Sequence, residues 1–215
     1  MNNTNIIKLD PFYEEHINAA SNLHSILLPE SIVSRLGHIF LSKFYYKILT
    51  KNNLIDVYLY KINNKYVGFI VCTDYPFTFM KNGMKRNIIL LSIILMISIL
   101  LKPSRFRLLL KMKGDVNLDI LKKEHIESVG QFMSFGVLEE YRKYIDDFSN
   151  HTIANVLMRN VFSHFSERKK NMFFLLVLKT NKNAIAFYKK YNGIFLLDSG
   201  SKSDIVTFNL PTKFV

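Results

Sequence analysis

Tryptophan is missing from the 215 residues, cysteine occurs once, and there are only five prolines and eight glycines. The lone Cys72 excludes an internal disulfide framework and favours a reducing compartment. Set in the apolar run GFIVC, it reads as a buried structural thiol rather than a nucleophile. So little proline and glycine excludes collagen-like and low-complexity chains. The opening MNNTNIIKLD has neither the basic start nor the apolar block of an export signal, so a cytoplasmic protein is expected. Familiar site signatures are lacking as well. The six histidines, His16, His24, His38, His125, His151 and His164, form no HExxH and no tight ligand spacing, and no metal is expected. There is no GxSxG elbow, no GxxxxGK[ST] phosphate loop and no GxGxxG fingerprint, which disfavours the common hydrolase, NTPase and dehydrogenase readings.

Negative charge is also missing, but locally. The chain carries +12 overall, and residues 75 to 114 contain no Asp or Glu while holding Lys81, Lys85, Arg86, Lys102, Arg105, Arg107, Lys111 and Lys113. Such a field favours anionic partners. Inside this interval lies IILLSIILMISILL, the most apolar run in the chain. At 14 residues it is shorter than the roughly 17 to 25 that cross a bilayer. The first expectation is a helix from Met84 to Leu101, buried in the core, within a helical insertion at about 84–113. The alternative is that this helix and SRFRLLLKMK rest on the inner face of an anionic membrane, with the cations at the headgroups. Nucleic acid is disfavoured, because the cations bracket an aliphatic run instead of alternating with aromatics.

What is present suits one substantial core: 49% hydrophobic and 21% charged residues. NIIKL is a short strand. A helix is expected from Pro11 to Ser25 with Asp10 as its N-cap, and a longer one over SIVSRLGHIFLSKFYYKILTK with Ile32, Leu36, Phe40, Phe44 and Ile48 on one face. IDVYLYK and YVGFIVCTD read as an antiparallel hairpin turning at Asn63 and Asn64, with residues 128 to 138 as a candidate partner strand. A helix from Thr152 to Phe165, the strand NMFFLLVLK, the helix NAIAFYKKY and the strands IFLLD and IVTFN complete the order.

Two of these segments carry a resemblance. FGVLEEYR, ending at Arg142, and NKNAIAFY, from Asn181 to Tyr188 behind the strand FFLLVLKT, are similar in order and context to two motifs of the GCN5-related N-acetyltransferase (GNAT) superfamily. PESIVSRLGHIFLSKFYYKIL also resembles members whose early helices stand beside the acceptor pocket. The resemblance implies a single α/β (α+β) domain over 1–215, with a central twisted, mostly antiparallel sheet flanked by helices. It implies acetyl-CoA or another acyl-CoA as co-substrate and a small-molecule amine as acceptor, with a sugar-nucleotide precursor among the candidate classes. By the same resemblance Gly136, Val137 and Leu138 border the thioester at a splayed strand, and Arg142 opens the pyrophosphate turn. Thr152, Ile153 and Ala154 stand in for its small, apolar, small sequence, Asn181 contacts the cofactor, and Tyr188 is the general acid for the departing thiolate. Where relatives often place Glu stands Gln131, which cannot ionise and can only orient the acceptor or a water.

The turn itself departs from the pattern. Nine residues lie between Arg142 and Thr152, seven more than the resembled pattern has, and the stretch YRKYIDDFSNHTIANVLM contains no glycine. A β-branched Thr152 cannot copy glycine's backbone freedom, although its hydroxyl can cap a helix. Asp146 and Asp147 would repel a pyrophosphate if they faced it. The alternative to an enzyme is a catalytically impaired binding or membrane-associated protein that keeps the fold.

Overall fold

The computed structural model describes residues 5–110, 128–196 and 202–210. Its strands are β1 (Ile6–Lys8), β2 (Asp56–Ile62), β3 (Lys65–Thr73), β4 (Val129–Val137), β5 (Ile145–Asp146), β6 (His151–Thr152), β7 (Met172–Leu178), β8 (Ile194–Leu196) and β9 (Ser203–Asn209). Seven of them form one sheet in the order β1-β2-β3-β4-β7-β9-β8, and β5 pairs with β6 alone. Every neighbouring pair is antiparallel except β4 with β7. The β2–β3 turn works because Asn63 and Asn64, at φ 46° and 65°, tolerate the left-handed conformation that a two-residue hairpin needs.

The helices are α1 (Glu14–Leu27), α2 (Ile32–Arg35), α3, α4 (Phe79–Arg86), α5 (Ile88–Leu101), α6 (Ser104–Leu110), α7 (Ile153–Glu167) and α8 (Lys182–Lys189). In α3 the turns are π-wound over Phe40–Ile48 and close with one α turn, Leu49–Lys51. The helix expected from Pro11 starts later. Asp10 accepts from the Phe12 N–H at 2.8 Å, so it closes a turn ahead of α1 instead of capping it. The long second helix is broken at Gly37, whose φ of +101° is closed to other residues without strain. The Arg105 guanidinium fills the space where a Cβ would sit, 2.5 Å away.

Two layers cover the sheet. On one face α1 and α3 bury Ile17, Leu41, Phe44 and Tyr46 against Leu59, Phe69 and Val71. On the other, α7 and α8 bury Ile153, Leu157, Val161, Phe165 and Tyr188 against Phe173, Val206 and Phe208. Gly130 of β4 lets this second layer close, since a Cβ there would meet the Phe165 ring at 2.2 Å. Cys72 is fully buried, and burial pushes its thiol well up from the ordinary value.

The apolar insertion differs from its expected form. It is two helices, α4 and α5, bent by 96° at Asn87. Only Leu91, Ile94 and Ser98 of α5 are buried, where the helix lies against α3. Ile89 and Leu100 are 77% and 74% exposed. One narrow stripe is enough to seat the helix, and the rest of its surface has no covering element among the described residues.

Candidate active site

The parallel pair β4–β7 lasts for three residues: Val129 opposite Met172, Gly130 opposite Phe173 and Gln131 opposite Phe174. Past that point β4 stays with β3 as far as Val137, and β7 stays with β9. The sheet therefore opens as a V between two strands that were neighbours. A bulge shapes one arm of it. Val71 faces Ser134 but the next residue, Cys72, faces Phe132, so Met133 is an extra residue in β4. The bulge resets the alternation, and Phe132, Phe135 and Val137 all turn to the α7 side.

The opening holds a cavity of about 530 Å³ lined by residues 132 to 137 and 175 to 178 of the two strands. Leu27 and Leu28 close it on the α1 side, and Arg142, Ala154, Asn181, Phe187 and Tyr188 on the other. Its β4 wall offers main-chain groups. The Leu138 N–H points at β3, donating to Val67 O at 2.9 Å. Backbone direction alternates along a strand, so Val137 and Phe135 turn their N–H and C=O toward the open side. Arg142 Nε donating to Val137 O at 3.3 Å agrees with this.

Solved structures with this architecture include "the acetyltransferase of GNAT family from Streptococcus pneumoniae", 11% identical, covering 96% of this chain and 98% of that one, at TM-score 0.51. NAA60 of Arabidopsis thaliana in complex with a bisubstrate analogue is 14% identical over 97% and 99% of the two chains, at TM-score 0.54. Naa50 of the same plant in complex with the bisubstrate analogue CoA-Ac-MVNAL is 15% identical over 96% and 99%, at TM-score 0.50. The chain has the GNAT fold. At such identities the likeness is one of fold, and neither a protein-family model nor a curated protein matches the chain.

Within this GNAT fold the residues singled out from sequence divide into two groups. Gly136, Val137, Arg142, Ala154, Asn181 and Tyr188 all line the cavity. Tyr188 is 7% exposed, and burial pushes its phenol well above the usual range, so it holds its proton at neutral pH. Asn181 caps α8, its side-chain oxygen accepting from Ala184 N–H at 3.1 Å. Gln131, Leu138, Thr152 and Ile153 stay out of the cavity wall. Gln131 lies where β4 and β7 are still paired. Ile153 is fully buried against Gly68, so it has only its main chain to offer a ligand. Thr152 caps α7 by accepting from Asn155 N–H at 3.5 Å. Leu27, Leu28, Ser134 and Phe187 were not picked out from the sequence, since nothing local marks an aliphatic helix end as the rim of a cavity.

The expanded loop is tied down rather than turned toward the cavity. Asp146 is fully buried and accepts from the Tyr60 hydroxyl, from Asn5 at 2.9 Å and from Ser149 N–H at 2.9 Å. Burial alone would raise its carboxyl, but these donors outweigh it and hold the group at about 2. Asp147 is exposed and accepts from the Tyr144 hydroxyl at 3.3 Å. Neither acid lines the cavity. Asn150, at φ 54°, supplies the left-handed residue that the glycine-free loop needs.

A second polar cluster sits at the far end of β3. His164 Nε2 approaches Asp56 Oδ2 at 3.9 Å and Asp74 Oδ1 at 3.7 Å, and its Nδ1 shares a 2.9 Å hydrogen bond with the Tyr58 hydroxyl. Histidine spacing along the chain could not show this, because the three residues come from β2, the end of β3 and α7. Their donor atoms lie within 4.8 Å of one another, close enough for an ion. Arg168 already stands 3.7 Å from both carboxylates, and Lys8 pairs with Asp56. The cluster is an ion-paired clamp holding α7 to the sheet.

Proposed function

We propose that this protein transfers an acetyl or other acyl group from acyl-CoA to the primary amine of a small molecule. The observation that carries the reading is the splay of β4 from β7 beside a bulge, which leaves the Phe135 and Val137 main-chain groups unpaired by β7 and facing the cavity. An extended pantetheine arm can pair with that edge as a substitute strand. A main-chain N–H there donates to the thioester oxygen as it becomes an oxyanion, and a preorganised donor in a site shielded from water is worth most at that moment. The amine nitrogen bonds to the carbonyl carbon, the C–S bond breaks, and Tyr188 protonates the leaving thiolate. The phosphates would meet the first amides of α7, at Ile153 and Ala154, with Arg142 as the nearby cation.

Among the described residues no Asp, Glu or His lines the cavity. In this reading the acceptor amine arrives unprotonated and releases its proton to water after attack. Rate should rise with pH through the amine's own pKa. A nucleotide-linked amino sugar is the acceptor class we favour, since the basic surface would attract its phosphates.

Isothermal titration with CoA and acetyl-CoA, followed by transfer of labelled acetyl to a panel of amines including amino-sugar nucleotides, tests the reading. Saturable binding and turnover are expected; no binding of either ligand would overturn it. A second reading, a binding protein without turnover, draws on two groups satisfied within the chain: Arg142 on Val137 O and the Asn155 N–H on Thr152. Binding of acetyl-CoA with no transfer to any amine would select it.

A further inference from the structure

On the outside of the layer containing α1 and α3, α5 carries the longest run of exposed large hydrophobic residues among the described residues. Along α5, Ile89, Ile93, Met96 and Leu100 follow one another at helical spacing and all are exposed, from 45% for Ile93 to 77% for Ile89. Ile88, Leu101 and Phe106 of α6 extend the patch. Soluble surfaces rarely leave so continuous an apolar face in water unless something covers it. The charges around it indicate what. Lys81, Lys85 and Arg86 are exposed before the face, Lys102 and Arg107 after it, and residues 75 to 114 contain no acid to balance them.

We propose that this α4–α5–α6 hairpin docks the protein on an anionic phospholipid surface, with the α5 face in the acyl region and the flanking cations at the headgroups. Two competing occupants fit less well. A second copy of the chain would bring the same cations against one another across the contact, where like charges oppose association. A span is too long for the element: 14 residues rise about 21 Å, short of a hydrocarbon core of roughly 30 Å. No single helix among the described residues is long and apolar enough to cross a membrane. The 96° bend at Asn87 and the Arg105 Nη1 bond to Ser98 O at 2.9 Å fold the ends of α5 back toward the protein, as interfacial seating requires. This inference stands apart from the acyl-transfer reading.

Vesicle co-sedimentation of the full chain tests it, with phosphatidylcholine vesicles that either contain or lack phosphatidylglycerol. Binding is expected to the anionic vesicles, to fall with salt, and to weaken about fivefold for each cation removed in a Lys85→Gln, Arg86→Gln, Lys102→Gln, Arg107→Gln series. Ile89→Asp with Leu100→Asp should abolish it. Both residues are exposed, and an unchanged thermal transition would show that the fold survives. Equal sedimentation of wild type and the aspartate variant, or none by wild type, overturns the proposal. So does a concentration-dependent dimer that these substitutions dissolve while vesicles are ignored. Bound protein that resists release by high salt and alkaline carbonate would mean a span, and would overturn it too.

Discussion

Helices α5 and α7 are nearly equal in length, 14 and 15 residues, and have opposite fates. The far more apolar α5 buries three residues, whereas α7, with Asn, Arg, Ser and Glu in its sequence, buries seven. Burial follows the match between a helix stripe and the surface beneath it, not total hydrophobicity. The α7 stripe, Ile153, Leu157, Val161 and Phe165, meets a sheet face with Gly68 and Gly130 cleared to receive it. Among the described residues nothing covers the apolar excess of α5.

Truncation should break the two helices unequally. Phe165→Ala removes a fully buried ring stacked on Phe173 and should cost about 3–5 kcal/mol in urea unfolding. Leu100→Ala or Ile89→Ala on α5 should stay within about 0.5 kcal/mol. Comparable losses at the two sites would refute the contrast.

Acid should act on the α1–α3 layer before it reaches the loop. His24 is buried between the Tyr46 hydroxyl at 2.7 Å and Ser31 Oγ at 3.0 Å, and burial pushes its ring down to about 4. Between that value and the usual 6.5 the unfolded chain binds a proton that the folded chain refuses, so stability falls as pH drops through this window. The loss should total about 3 kcal/mol by pH 4. Stability measured across that range should lose this slope in His24→Asn; an identical slope in the variant would discount the residue. Asp146, held at about 2, contributes stability that persists until much lower pH.

The loop yields a smaller effect. Asp146→Asn replaces the acceptor of Tyr60, Asn5 and Ser149 by a group that must also place two donors. A cost of about 1–3 kcal/mol is expected, and titration should show weaker CoA binding because the loop leads directly into the start of α7. Unchanged midpoint and affinity would show the tie to be dispensable. Tyr188→Phe should leave CoA affinity near wild type while lowering turnover about 100-fold; equal turnover would remove the acid role.

Much of this was legible in the chain. The Asn63–Asn64 turn, the strand leading toward Arg142, the helix after the TNKN corner and the placement of Tyr188 follow from local pattern and motif order. Sequence hides what depends on distant partners. Arg105 occupies the space beside Gly37, Tyr60 and Asn5 hold Asp146, and α5 buries only Leu91, Ile94 and Ser98, none of which local spacing reveals. Gln131 is singled out by its motif position, where relatives often place Glu; the structure keeps it paired with Phe174, and the splay of β4 from β7 begins only after it.

Residue-resolved amide exchange with and without acetyl-CoA tests the central claim most directly. New protection is expected at Phe135 and Val137, with little change along the already paired β2. Saturating acetyl-CoA that leaves both amides exchanging as before would contradict the assignment of the β4–β7 opening as the acyl-CoA site.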